Sequence, residues 1–188
     1  MKKILMLILI SISLFSMEKE NISTMMTNKI NQATSIIKQK TLSDKDKADK
    51  IFPLFDGIFD YKLMTKLSLG KANWIKMTPE QREEFTSKFT IHLKNSYTSK
   101  ISLYTDEKLR IIGLKEINTK RVWLLTQLVG SKDSYDITYK FYKSKSADWL
   151  IYDVDILGVS LIKAYKSQFY NILQTQSYRA LLGKIASK

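Results

Sequence analysis

Four consecutive segments with β-strand character, between residues 108 and 157, constrain the fold of this chain most strongly. They read KLRIIGLKEI, KRVWLLTQLVG, SYDITYKFYKS and ADWLIYDVDIL, and they are rich in β-branched and aromatic residues. Short polar turns join them at Asn118–Thr119, Gly130–Asp133 and Ser144–Ala147. Because turns this short join antiparallel neighbours, whereas parallel strands need a long crossover, the sequence predicts a four-stranded antiparallel meander.

One long amphipathic helix is predicted before the strands and another after them. The first begins at MTPEQREEF, where Thr78 and Gln81 can form a capping box and Pro79 suits the first helical position. Its apolar residues recur every four positions, at Phe85, Phe89, Leu93, Tyr97 and Ile101. The second begins after Gly158, with an apolar face made by Val159, Ile162, Tyr165, Phe169 and Ile172. Helices, then strands, then helices predict an α+β fold, in which a twisted sheet packs against flanking helices.

A further apolar segment, FPLFDGIFDYKLMTKLSLG, occupies residues 52–70. Pro53 and Gly57 interrupt it, and we therefore predict short helices that end at Gly70. An earlier helix is predicted to start after Ser43, a suitable N-cap, and to run toward Phe52.

The first residues, MKKILMLILISISLFS, have the layout of a secretory signal peptide: two lysines, an apolar run and then small residues. The apolar run from Ile4 to Phe15 is shorter than the roughly 20 residues that a membrane-spanning helix needs. We therefore expect residues 1–17 to be removed on export and residues 18–188 to form a single domain.

The chain's charge and its reactive residues limit its chemistry. The formal net charge is +13, which attracts anionic partners such as nucleic acid, lipid headgroups or an acidic protein face. The sequence has no cysteine, so disulfides, thiol catalysis and Cys-ligated metals are excluded. His92 is the only histidine, and the six glycines form no phosphate-binding motif. We therefore predict neither a metal site nor a bound cofactor.

Asp153 and Asp155 are the one candidate catalytic pair, because residues two apart on a strand share a face. Paired carboxylates can serve in acid–base catalysis or bind a cation. By the same alternation Trp149 and Ile151 share that face, and a plain strand end with a lysine partner is the other interpretation. An exported α+β enzyme using this pair stays an alternative, as does a nucleic-acid binder, although export argues against the latter.

The aromatic stripes on the helices ordinarily indicate a core. However, the apolar faces exceed what a four-stranded sheet needs, and helices curled over a concave sheet can enclose an apolar cavity. Composition does not distinguish a cavity from a solid core.

Two blocks of the sequence resemble the MlaC (toluene-tolerance auxiliary) family. Residues 59–104, FDYKLMTKLSLGKANWIKMTPEQREEFTSKFTIHLKNSYTSKISLY, contain its acidic-aromatic start, Leu-Gly, Trp and Thr-Pro-Glu-Gln-Arg before a Phe-rich helix that ends in Tyr. Residues 149–169, WLIYDVDILGVSLIKAYKSQF, contain its Tyr-Asp-Val, Gly-Val-Ser-Leu and Tyr-Lys-Ser-Gln-Phe. The two blocks occur in this order behind the predicted signal peptide.

This resemblance implies a soluble periplasmic phospholipid carrier that is not an enzyme. Such a protein moves lipid between an outer-membrane lipoprotein complex and the substrate-binding component of an inner-membrane ABC transporter, and so maintains outer-membrane lipid asymmetry. The acyl chains lie inside the protein with the headgroup near the mouth, and no nucleic acid is involved. The phospholipid is cargo and not a cofactor.

With this resemblance the apolar stripes become the walls of a lipid pocket. The predicted lipid-binding residues are Leu93, Tyr97, Ile101, Val122, Leu124, Tyr139, Phe141, Val159, Ile162, Tyr165 and Phe169. Each of them is equally consistent with an ordinary core position.

Overall fold

A computed structural model describes residues 18–101, 106–131 and 133–186 of the chain. Within these ranges a short 3-10 helix (Lys19–Asn21) and five α-helices precede five strands, and two α-helices follow them. The helices are α1 (Ile22–Ile37), α2 (Asp44–Asp56), α3 (Tyr61–Leu69), α4 (Lys71–Lys76), α5 (Pro79–Ile101), α6 (Leu161–Thr175) and α7 (Tyr178–Ala186). The strands are β1 (Lys108–Asn118), β2 (Arg121–Val129), β3 (Ser134–Lys143), β4 (Trp149–Ile156) and β5 (Val159–Ser160). The predicted signal peptide, residues 1–17, lies outside the described residues.

The strands form one antiparallel sheet in the order β1-β2-β3-β4-β5, so the predicted α+β class and the meander are confirmed. The difference is the fifth strand, which pairs Val159 with Ile156 and Ser160 with Asp155. Leu157 and Gly158 both have positive φ, at 53° and 78°. A two-residue hairpin turn of type I′ needs this backbone conformation. The chain therefore turns back after Ile156 instead of entering a helix directly.

Helix α6 consequently begins two residues later than the periodicity predicted. Ser160 is its N-cap, and the Ser160 hydroxyl accepts a hydrogen bond of 3.1 Å from the amide of Lys163. The predicted capping box of α5 is confirmed, because Thr78 and Gln81 exchange bonds of 3.0 and 3.2 Å. Helix α2 runs through Pro53 to Asp56, so the predicted break at Pro53 is wrong.

A bulge in β4 decides which way the two candidate carboxylates point. Phe141 on β3 lies opposite Ile151, but the next residue, Lys140, lies opposite Asp153, which leaves Tyr152 as an extra residue. Ile151 therefore faces the helices together with Phe141, whereas Asp153 faces the other side with Lys140. The prediction that Asp153 shares a face with Ile151 is wrong because the bulge interrupts the alternation.

Two apolar clusters stabilise the fold. The sheet cluster joins α1 to the helix-covered face of the sheet: Ile22, Met26, Ile30, Ile58, Val122, Leu124, Phe141, Trp149, Ile151 and Val154. The helix cluster lies among α3 to α7: Met64, Leu69, Trp74, Met77, Phe85, Phe89, Leu93, Ile162, Phe169, Leu181 and Ile185. Phe59 packs against both clusters. None of the helices in the described part of the chain is long and apolar enough to cross a membrane.

Candidate functional site

An apolar cavity of about 280 Å³ lies where the sheet cluster and the helix cluster meet. Val154 of the sheet cluster and Leu93 of the helix cluster both contribute to its wall. The lining residues are Ile51, Phe52, Phe55, Phe59, Tyr61, Met64, Leu93, Lys94, Tyr97, Ile137, Tyr139, Val154, Ile156 and Leu161. At this place the two clusters are therefore separated by a cavity and do not form one continuous core.

The sequence accounts for each wall of the cavity. On β3, alternation turns Ile137 and Tyr139 toward the helices, and the register places them opposite Ile156 and Val154 on β4. On α5, positions 93, 94 and 97 are neighbours on one side of the helix. Helix α2 supplies the aromatic side chains of Phe52 and Phe55.

A polar group interrupts this apolar wall at one point. Lys94 Nζ lies 2.7 Å from Asp56 Oδ1 and 2.8 Å from Asp56 Oδ2, so the pair joins α5 to the end of α2. Tyr61 donates a hydrogen bond of 2.8 Å to Asp56 Oδ1. Burial is the main cause, and the hydrogen bond to Asp56 the second, of a pKa for Tyr61 that lies far above its usual value. The rings of Phe52 and Tyr61 have their centroids 5.6 and 5.5 Å from the Lys94 ammonium, within cation–π range.

The other tyrosines of the wall are neutral at physiological pH. Burial raises the pKa of Tyr139 to about 12 and also raises the pKa of Tyr97. These phenol groups consequently add no charge to the cavity.

The structure brings three of the eleven predicted site residues to the cavity, namely Leu93, Tyr97 and Tyr139. Val122, Leu124 and Phe141 are buried in the sheet cluster, and Ile162 and Phe169 are buried in the helix cluster. Tyr165 packs on the helix cluster, with its ring centroid 4.9 Å from that of Phe89. Ile101 is half-buried at the end of α5.

Val159 is 63% exposed and does not line the cavity. The reason is the late start of α6: Val159 belongs to β5, and Leu161 at the first helical position contributes to the wall instead. Lipid binding by any of the eleven residues stays a prediction.

Sequence reasoning missed the wall that α2 and the following turn build. Ile51, Phe52, Phe55 and Phe59 all belong to it, and the apolar segment after residue 51 was the available signal. Pro53 was interpreted as a helix break, whereas the helix continues through it to Asp56, and the apolar face of α2 was therefore not recognised. Lys94 was also missed, since a single lysine beside an apolar stripe looks like a surface residue.

Asp153 and Asp155 form a structural ion cluster on the other face of the sheet. Lys140 Nζ lies 3.1 Å from Asp153 and 2.7 Å from Asp155. Burial alone would lower the pKa of Lys140, but its hydrogen bonds and charge interactions with the two carboxylates raise it above its usual value. Lys140 therefore stays charged and offsets one of the two negative charges.

Asp153 also stabilises the start of α6 through hydrogen bonds. It is 5% exposed, and it accepts a bond of 2.7 Å from the Ser160 hydroxyl and one of 3.1 Å from the Ile162 amide. These bonds satisfy both of its oxygens. No group of three or more potential metal ligands occurs among the residues that the structure describes.

Comparison with known proteins agrees with this architecture. A family model described as MlaC protein matches residues 14–187. The chain belongs to the MlaC family. A solved phospholipid-binding protein from Ralstonia solanacearum, in complex with a phospholipid, shares the fold of this MlaC-family chain with a TM-score of 0.74. The two are 19% identical over 87% of this chain and 94% of the other. No curated protein matches the chain significantly.

Proposed function

We propose that this MlaC-family protein is a periplasmic phospholipid carrier, which holds acyl chains in the cavity and releases the lipid unchanged. The observation that carries the proposal is the apolar cavity between the sheet and the helices. Its position, in a fold shared with a protein described as phospholipid-binding, supports the same class of ligand here.

The energetics of the cavity favour an acyl chain. Burial of each methylene group contributes about 0.8 kcal/mol, so a lipid chain binds tightly without any covalent or catalytic step. The cavity of about 280 Å³ is slightly smaller than typical ligand pockets, which span roughly 300–1,000 Å³. A two-chain lipid therefore requires the walls to separate, and we expect them to separate along the boundary between the two clusters, where the cavity already lies.

Export and partners complete the proposal. Residues 1–17 act as a signal peptide, and the mature protein collects or delivers lipid at the substrate-binding component of an inner-membrane ABC transporter and at an outer-membrane lipoprotein complex. By this activity it maintains the lipid asymmetry of the outer membrane. The full chain has a formal net charge of +13, of which only Lys2 and Lys3 lie in the signal peptide, so the mature protein stays basic and suits acidic partner faces and anionic headgroups.

The geometry of the carboxylates favours a binding protein over an enzyme. Asp153 accepts hydrogen bonds from Lys140, from Ser160 and from the Ile162 amide at the start of α6. Neither Asp153 nor Asp155 lines the cavity. Asp155→Asn leaves the bonds of Asp153 in place, and we therefore expect this variant to carry lipid at the wild-type rate. A loss of transfer in a folded Asp155→Asn protein would support the catalytic alternative.

A vesicle-transfer assay tests the proposal. Donor vesicles carry a self-quenched fluorescent phospholipid, acceptor vesicles carry none, and purified protein is added without detergent. We expect transfer to accelerate in proportion to protein concentration and the recovered phospholipid to have an unchanged mass. Transfer at the rate of the protein-free sample would contradict the carrier function, and a change in mass would indicate an enzyme.

A further inference from the structure

We propose that Lys94 binds the phosphate of the lipid, exchanging its ion pair with Asp56 for one with the headgroup. This inference rests on the proposed function and deepens it, because it names the side chain that selects phospholipids from diacyl lipids without phosphate. The juxtaposition that carries it is a lysine in the wall of an otherwise apolar cavity, paired with a carboxylate beside that wall.

Lys94 stands out among the described residues that line the cavity, because it alone among them carries a formal charge. A charge in an apolar wall is costly unless an anion compensates it. Its side chain is 26% exposed, so solvent reaches this part of the wall. Leu93 and Tyr97, its neighbours on the same side of α5, line the apolar part. An acyl chain against those two residues therefore places its headgroup near Lys94.

Asp56 shows what kind of anion Lys94 accepts. Both of its carboxylate oxygens lie within 2.8 Å of the ammonium. A phosphodiester likewise carries one negative charge shared between two unsubstituted oxygens. Lysine binds phosphate through short charge-assisted hydrogen bonds of this kind. The rings of Phe52 and Tyr61 beside the ammonium keep it in position for either anion.

The exchange leaves no buried group without a partner. The Asp56 side chain is 38% exposed, so water can hydrate it once Lys94 turns to the lipid. The Tyr61 hydroxyl continues to donate to Asp56 Oδ1 at 2.8 Å. The lysine gains an anion of equal charge in place of the one that it loses.

The same exchange loosens the cavity. Asp56 is the last residue of α2 and Lys94 lies on α5, so their ion pair ties together two helices of the wall. A phosphate on Lys94 removes that tie as the acyl chains require more room. Headgroup recognition and widening of the cavity are thereby coupled through one side chain.

A competition experiment between two lipids with the same acyl chains tests this inference. The protein is incubated with dioleoyl phosphatidylglycerol vesicles that contain dioleoylglycerol, recovered without detergent, and its bound lipids are quantified by mass spectrometry. The preference is the bound ratio divided by the ratio in the vesicles. For wild type we expect about a tenfold preference for the phospholipid, corresponding to one charge-assisted interaction of about 1.4 kcal/mol.

The variants separate the role of Lys94 from a general effect of charge. Lys94→Met should reduce the preference to near unity while dioleoylglycerol still binds, and Lys94→Arg should retain it. Lys88→Met, which removes an exposed lysine from the same helix, should behave as wild type. Asp56→Asn removes the competing anion and should raise the preference several-fold, which keeps the inference testable if Lys94→Met does not fold.

The outcomes distinguish this inference from the proposed function. An unchanged preference in folded Lys94→Met, or no gain in Asp56→Asn, would overturn the role of Lys94 while leaving lipid carriage intact. Binding of neither lipid by wild type would instead overturn the carrier function and this inference together.

Discussion

Filling the cavity from the sheet side should abolish lipid binding without unfolding the protein. Ile137 on β3 is half-buried, and its side chain lines the cavity. Ile137→Trp therefore directs a larger side chain into space that we assign to an acyl chain. Ile112→Trp is the matched control, because Ile112 is also a strand isoleucine but is 61% exposed on β1.

The size of the effect follows from the volume that the new side chain takes. Tryptophan has about six more non-hydrogen side-chain atoms than isoleucine, and it displaces roughly five methylene groups of the lipid. At about 0.8 kcal/mol each, the loss is about 4 kcal/mol of binding free energy. This corresponds to about a thousandfold weaker Kd.

Titration with a fluorescent phospholipid measures the Kd, and thermal unfolding shows whether each variant is folded. We expect Ile137→Trp to lose binding and to keep a melting temperature close to that of wild type, whereas Ile112→Trp keeps both. Wild-type affinity in a folded Ile137→Trp protein would refute the assignment of the acyl chain to this cavity.

Three further predictions concern stability. Asp153→Ala leaves Lys140 without one of its two carboxylates and should lower the free energy of unfolding by about 3–5 kcal/mol in urea denaturation; a loss below about 1 kcal/mol would contradict its structural role. Gly158→Ala should cost about 1 kcal/mol by thermal unfolding, because φ is 78° and an added Cβ meets no atom within 4 Å; an unchanged melting temperature would mean that the turn differs. Burial raises the pKa of Tyr139 from 10.0 to about 12, so its neutral form stabilises the fold fully below pH 10 and this contribution is lost as the pH rises to 12. Between pH 10 and 12 the free energy of unfolding of wild type should fall by up to about 2–3 kcal/mol more than that of Tyr139→Phe. Equal decreases for the two proteins, measured by urea denaturation at each pH, would disprove this.

The order of the elements could be predicted because hydrophobic period is a local property of the sequence. The strand predicted from the period of two in SYDITYKFYKS and the capping box at Thr78 each depend on a few neighbouring residues, and both are found in the structure. Positive φ at Leu157 was not predictable, since leucine rarely adopts that conformation. The fifth strand was missed for that reason.

The candidate site was harder to predict because it depends on tertiary packing. Phe85 and Tyr97 belong to one stripe on α5, yet Phe85 is fully buried in the helix cluster and Tyr97 lines the cavity. Nothing in the periodicity distinguishes the two. The bulge at Tyr152 likewise depends on pairing between strands, and it reversed the face on which Asp153 lies.

Mass spectrometry of lipids extracted from the protein tests the central claim most directly. The full chain is expressed with its own first residues, purified from a bacterial periplasm without detergent, and quantified for phospholipid per protein. We expect close to one phospholipid per wild-type molecule and almost none in Ile137→Trp. Folded wild-type protein that contains no phospholipid, and that takes up none from vesicles, would contradict the account.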